Sequence, residues 1–235
     1  MTYSNIVQDI IVVLVTYAPP LIVFGWFFER MHRSRLLLFI IGVFYLGISV
    51  FTQNLFPFIL VVIDIWYLKN EGWDYEIYNF SIGKVKFFKA MKYSFFSYFV
   101  TVLVSGLTSI VFVLNNIPIK EQEVVTWMAG MPLYKFLLAI PIAVIFAPVL
   151  EEFVFRWFFY KKVFGRRFGN KISAIVSSII FASAHYNLMA FPIILWIGLY
   201  NCYLMEKKGY WYAVINHMFF NSVSVILMFL SKVNQ

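Results

Sequence analysis

Eight apolar runs divide this chain, at roughly 6–28, 36–51, 55–68, 93–114, 134–155, 172–189, 191–205 and 211–230. A membrane-spanning helix needs about 20 mostly apolar residues. Inside lipid, only helices and closed barrels satisfy every backbone polar group. The predicted fold class is therefore all-α, a polytopic transmembrane helical bundle of about eight spans. Runs 36–51, 55–68 and 191–205 are short, and only Phe51-Thr52-Gln53-Asn54 separates the second from the third. Six or seven spans, or a re-entrant element at that point, are the alternatives.

Composition excludes other classes. The chain is 62% hydrophobic and 13% charged, with 28 Phe. Soluble domains carry about 25% charged residues. The formal net charge of +8 does not indicate nucleic acid, because the cations lie in short loops and form no basic stripe along a helix. The single Cys202 excludes an internal disulfide and a cysteine-based metal cluster. The first run has no small-residue cleavage site behind it, so it is expected to stay as a helix.

The charges also orient the chain. With the amino terminus outside, the inner segments hold Arg30, Arg33 and Arg35, then Lys69 to Lys92, then Arg156 to Lys171, then Lys207 and Lys208. Only Lys120, Lys135 and Lys232 remain outside. This positive-inside bias makes the basic loops cytoplasmic. Merging the second and third runs would break it. Residues 69–92 mix lysines with Trp73, Tyr75, Tyr78, Phe80, Phe87 and Phe88, and are expected to lie along the inner interface. Residues 115–131 read as an outer loop with a short helix. No internal repeat is visible, so residues 1–235 are taken as a single integral membrane domain.

Three polar clusters interrupt the apolar helices. The first is Glu151-Glu152-Phe153-Val154-Phe155-Arg156. Paired glutamates at a helix end are often an interfacial cap, but here the apolar run continues past them. Ionisable residues within membrane helices mark functional sites by default. Glu152 and Arg156 are four apart and can pair, which lowers the cost of both charges. Glu151 has Phe155 at that spacing and no fixed ion partner. A carboxylate so placed is a candidate general base.

The second cluster is His185, one turn after Phe181 in a helix rich in small residues. A structural hydrogen bond is the plain alternative for that imidazole. The third is His217 with Asn221 four residues on. That pair offers donors to a developing oxyanion, or interhelical hydrogen bonds. His32, among Arg30, Arg33 and Arg35, reads as a solvated interfacial residue. Glu151, His185 and His217 are also plausible zinc ligands, since three protein ligands plus water make the usual catalytic site. The H-E-x-x-H pattern is absent, and spacing alone leaves both a metal-held and a directly held water open.

These residues, in this order, resemble the CPBP family of intramembrane proteases, also called the Abi or CAAX-protease-like family. Its members include type II prenyl-protein endopeptidases and bacterial proteins linked to bacteriocin processing and self-immunity. The family pattern runs E-E-x-x-x-R, then F-x-x-x-H, then H-x-x-x-N or H-x-x-x-D. Here it reads Glu151-Glu152 to Arg156, Phe181 to His185, and His217 to Asn221. The resemblance covers about residues 134–226, the expected protease-like core. It implies that Glu151 activates water with help from His185, and that His217 and Asn221 face the oxyanion. It also implies that Glu152 and Arg156 support the site. No cofactor is expected, with zinc on Glu151, His185 and His217 as the alternative.

The expected activity is endopeptidase cleavage of membrane-associated peptides or proteins, in a multi-pass protein of a bacterial plasma (inner) membrane. The lipid bilayer and such a substrate are the expected partners, and nucleic acid is not. A non-catalytic immunity or scaffold protein of the same family is the alternative. A proton-coupled transporter would show two matching halves, and none is visible.

Overall fold

A computed structural model describes residues 3–31 and 34–233. His32 and Arg33 lie outside the described residues, as does the side chain of Trp73. The chain is 87% helical, with no strand among the described residues. In order, the α-helices are α1 Tyr3–Val12, α2 Ala18–Arg30, α3 Arg35–Thr52, α4 Leu55–Glu71, α5 Trp73–Ile77 and α6 Phe87–Leu114. Next come α7 Glu123–Gly130, α8 Leu133–Pro141, α9 Ala147–Glu152, α10 Gly165–Ser183, α11 Phe191–Lys208 and α12 Tyr210–Val233. Among the described residues, three π-helical stretches, Val13–Tyr17, Ile142–Phe146 and Phe153–Phe164, join α1 to α2, α8 to α9, and α9 to α10.

Among the described residues, five helical stretches are long and apolar enough to cross a membrane: Ile10–Arg30, Arg35–Thr52, Phe87–Leu114, Leu133–Ser183 and Tyr210–Val233. The protein is a multi-pass helical membrane protein, but the expected count of about eight spans is not confirmed. The difference has identifiable causes. Helix α4 is only 17 residues long. Helix α11 ends in Glu206, Lys207 and Lys208. The fifth and sixth apolar runs are one helical stretch, Leu133–Ser183. That stretch folds back on itself, because Gly169 adopts φ 72° and interrupts the helix. Ser177 Oγ then reaches the Phe155 carbonyl at 2.5 Å, and Lys161 Nζ reaches Asn170 Oδ1 at 3.3 Å.

The segment carrying the glutamates runs through the centre. Phe153, Val154, Phe155, Arg156, Trp157 and Phe158 are all buried. Six consecutive buried residues cover every face of the helix, so neighbours enclose this part of it on all sides. The lipid-facing helices differ: α6 leaves Phe95, Phe96, Phe99, Leu103 and Leu107 exposed.

Residues 69–92 pack into the core of the bundle through Phe80. Phe80 is 2% exposed and sits 4.6 Å, ring to ring, from Tyr210. The Tyr210 amide donates to the Tyr78 carbonyl at 2.9 Å. Gly209 makes this possible, since a Cβ there would meet Asn79 Cβ at 2.6 Å, and its φ is 102°. Phe87 and Phe88 are exposed. Residues 115–131 hold the short helix α7.

Candidate active site

Pro148 shapes the approach to the glutamates. It has no N–H to donate. One residue earlier, the Ala147 amide bonds to the Ile142 carbonyl, five residues back. The carbonyl of Ala143 therefore loses its helical donor at Ala147, and the next candidate is the proline. Asn221 supplies the missing donor from α12, with Nδ2 2.8 Å from Ala143 O. In this arrangement the Asn221 amide ties α12 to the widened turn above the site.

Glu151 and Glu152 follow at the end of α9. Glu152 is fully buried. Its Oε2 lies 3.0 Å from Arg156 Nε, the i, i+4 pair that the spacing predicts. The contact is an ion pair without hydrogen-bond alignment. The Arg156 guanidinium is also fully buried and lies 4.2 Å from the centre of the Phe181 ring. A cation over an aromatic face gains further stabilisation when desolvated.

The other oxygen of Glu152 is a hub. Oε1 lies 2.8 Å from His217 Nδ1 and accepts from Asn201 Nδ2 at 3.0 Å. Asn216 Nδ2 in turn donates to Asn201 Oδ1 at 2.7 Å. On its far side His217 presents Nε2 to Glu151, 3.7 Å from Oε2. One imidazole thus stands between two carboxylates. Glu151 is the more accessible of the two, with its side chain 18% exposed.

His185 belongs to the same neighbourhood. Its Nδ1 is 2.8 Å from the Phe181 carbonyl. The Phe181 ring meets His185 edge-on at 4.9 Å and His217 edge-on at 5.8 Å between centroids. Arg156, His185 and His217 thus meet at the Phe181 ring, and His217 in turn faces both Glu151 and Glu152. Asn221 lies one turn further along α12, engaged with Ala143. Among the described residues, no three His, Cys, Asp or Glu side chains form a group that could hold a metal ion. Glu151, His185 and His217 are the residues that would hold a zinc ion in the alternative reading.

Sequence reasoning passed over Asn201 and Asn216. The available signal was an amide in the middle of an apolar run, which in lipid requires a partner. It also passed over Asp64, fully buried in α4.

Residues 132–223 match the protein-family model described as type II CAAX prenyl endopeptidase Rce1-like. The matched segment holds all three motifs and bears out the resemblance to the CPBP, or CAAX-protease-like, family. It is less than half of the chain and leaves α1 to α7 outside it. No curated protein and no solved structure matches the chain.

Proposed function

We propose that this protein is an intramembrane endopeptidase that hydrolyses membrane-associated peptides or proteins with a water activated by Glu151. The observation that carries the reading is His217 held between two carboxylates, Nδ1 at 2.8 Å from Glu152 and Nε2 at 3.7 Å from Glu151. The ion pair and amide contacts engage Glu152 on both oxygens. Glu151 has no such engagement and is more exposed, as a group that must take and give a proton requires.

In the proposed reaction, water sits beside Glu151 with His185 helping to orient it. The Glu151 carboxylate takes one proton as the water oxygen attacks the peptide carbonyl carbon. The carbonyl oxygen becomes an oxyanion facing His217 and Asn221. Collapse of the intermediate breaks the C–N bond, and the proton held by Glu151 passes to the leaving amine. Oxyanion stabilisation of this kind is worth several kcal/mol in acyl transfer. Asn221 has one N–H on Ala143, and its second amide hydrogen is the one assigned to the oxyanion. Glu152 and Arg156 support the pair from behind. No resident metal takes part in this reading.

The proposed setting is a bacterial plasma membrane, with the basic loops cytoplasmic and the scissile bond in the cytoplasmic half of the bilayer. The strong Lys and Arg bias supports that orientation. The test is incubation of the purified, reconstituted protein with a library of membrane-tethered peptides, comparing wild type with Glu151→Gln. Cleavage by wild type alone supports the reading. No cleavage by either protein, in a library that spans tail chemistry and sequence, favours the immunity or scaffold alternative.

A further inference from the structure

Asp64 stands apart from the groups used above. It lies on α4, with Val61, Val62 and Ile63 before it and Ile65 and Trp66 after it. Its side chain is fully buried, and neither carboxyl oxygen has a hydrogen-bond partner among the described residues. Glu152, buried to the same degree, is by contrast surrounded by Arg156, Asn201 and His217.

Val61 is three residues before Asp64 and Leu68 four after it, so the three share one face of α4. Val61 and Leu68 are both buried in the core that contains Val149, Leu150, Phe153 and Trp157. Asp64 is therefore on the face with which α4 seats against the segment carrying Glu151 and Glu152.

The charged groups on the helices around α4 are engaged elsewhere. Arg30 of α2 pairs with Glu71 at 2.5 Å, and Arg35 of α3 with Glu29 at 3.5 Å. On α5, Asp74 pairs with Lys162 and Glu76 with Lys84, while Tyr75 stacks on Phe80. On α9, Glu152 pairs with Arg156, and Glu151 faces His217. Tyr45 of α3 donates its hydroxyl to the Tyr17 carbonyl at 3.0 Å. Lys69, on α4 itself, is exposed. A carboxylate enclosed among apolar groups loses its hydration and, without a counter-ion, gains nothing in return. Such a group takes up a proton instead. Ionisable residues at membrane depth mark functional sites by default.

We propose that Asp64 is a proton-binding site, a neutral carboxylic acid that lets α4 seat against α9 and loosens that seat when its proton leaves. The proton is lost to hydroxide or a buffer base as pH rises, and the carboxylate left behind draws water between the two helices. The seat is thus closed on the acidic side of this ionisation and opened on the alkaline side.

The test uses full-length protein in nanodiscs, labelled with 13C only at the γ-carbon of its aspartates. The chain has three, Asp9, Asp64 and Asp74. Asp9→Asn and Asp74→Asn identify the Asp64 signal by elimination, even where Asp64→Asn folds poorly. At about pH 7 a free aspartic acid, with a pKa of about 3.9, is ionised, whereas Asp64 is expected to give the signal of a neutral acid. An ionised Asp64 at that pH, bare or with a bound sodium ion, overturns the proposal. Hydrogen exchange then reads the seat. As pH is raised until the Asp64 signal becomes that of a carboxylate, the amides of α4 and α9 should lose protection beyond the intrinsic rise of exchange with pH. Asp64→Asn cannot ionise and should keep that protection, with Asp64→Leu as the second neutral variant. Equal loss in wild type and a folded neutral variant overturns the switch. So does an Asp64 signal that stays neutral until the protein unfolds. Neither readout needs cleavage, so failure of the protease reading leaves this result unaffected.

Discussion

His217 Nδ1 lies 2.8 Å from Glu152 Oε1, a contact that joins α12 to α9 across 65 residues of chain. It shares the carboxylate with Asn201 and Arg156, so Glu152 holds three helical segments together at the centre of the bundle. Each partner depends on the others, because an ion stripped of its counter-charge in a dry interior is strongly destabilising. Glu152→Ala and Arg156→Ala should each cost about 3–5 kcal/mol. Thermal unfolding in detergent should show a lower transition temperature for both, together with less folded protein recovered. The paired change Glu152→Met with Arg156→Leu should be less harmful than either single loss, while leaving the site inactive.

The crossing of α10 and α11 positions Asn201. A Cβ on Gly198 would lie 2.9 Å from Ser178 Cβ and 3.3 Å from its Cα. Gly198→Val should push the two helices apart and cost about 1–3 kcal/mol, as overpacking does. Gly106→Ala is the matched control, because a Cβ there meets nothing within 4 Å. A thermal melt should separate the two, with Gly198→Val lowered and Gly106→Ala unchanged or slightly raised.

Turnover should not depend on zinc. His217 and Asn221 act in the proposed reaction through hydrogen bonds, and Glu151 supplies the base. Stringent chelation followed by metal analysis on the same active sample should leave activity unchanged at substoichiometric metal. Stoichiometric zinc, loss of turnover on its removal and recovery on its return would replace this mechanism, while leaving the protease assignment in place.

The preferred substrate should be tethered to the membrane. The glutamates lie in a largely buried helical segment of an apolar bundle, so the proposed reaction needs its scissile bond delivered at membrane depth. At equal concentration, a lipid-anchored peptide should be cleaved faster than the same sequence free in solution. A preference for the soluble form would contradict this.

Much of this was legible in the sequence because it is local. The i, i+4 spacing announced the Glu152–Arg156 pair, and the apolar runs announced the helices. The His217–Glu152 contact was not legible, since nothing in the spacing of two distant helices fixes which carboxylate an imidazole meets. The sequence reading turned His217 towards the oxyanion, whereas the fold also seats its other nitrogen on Glu152. Phe80 was hidden for a similar reason. An aromatic in a lysine-rich loop suits an interface, and only the Gly209 turn reveals that the loop is drawn against Tyr210. The span count was least legible, because the basic segment between the fifth and sixth apolar runs reads as a loop but stays helical up to the break at Gly169.

The most direct test of the central claim is single-sample turnover of a membrane-tethered peptide by wild type and Glu151→Gln, with fold checked by thermal melting. Gln keeps the shape of Glu but cannot take a proton from water. The expected result is an unchanged melt with kcat reduced by at least about 10²-fold, the usual contribution of a general base. Full activity with Gln at position 151 would contradict the account.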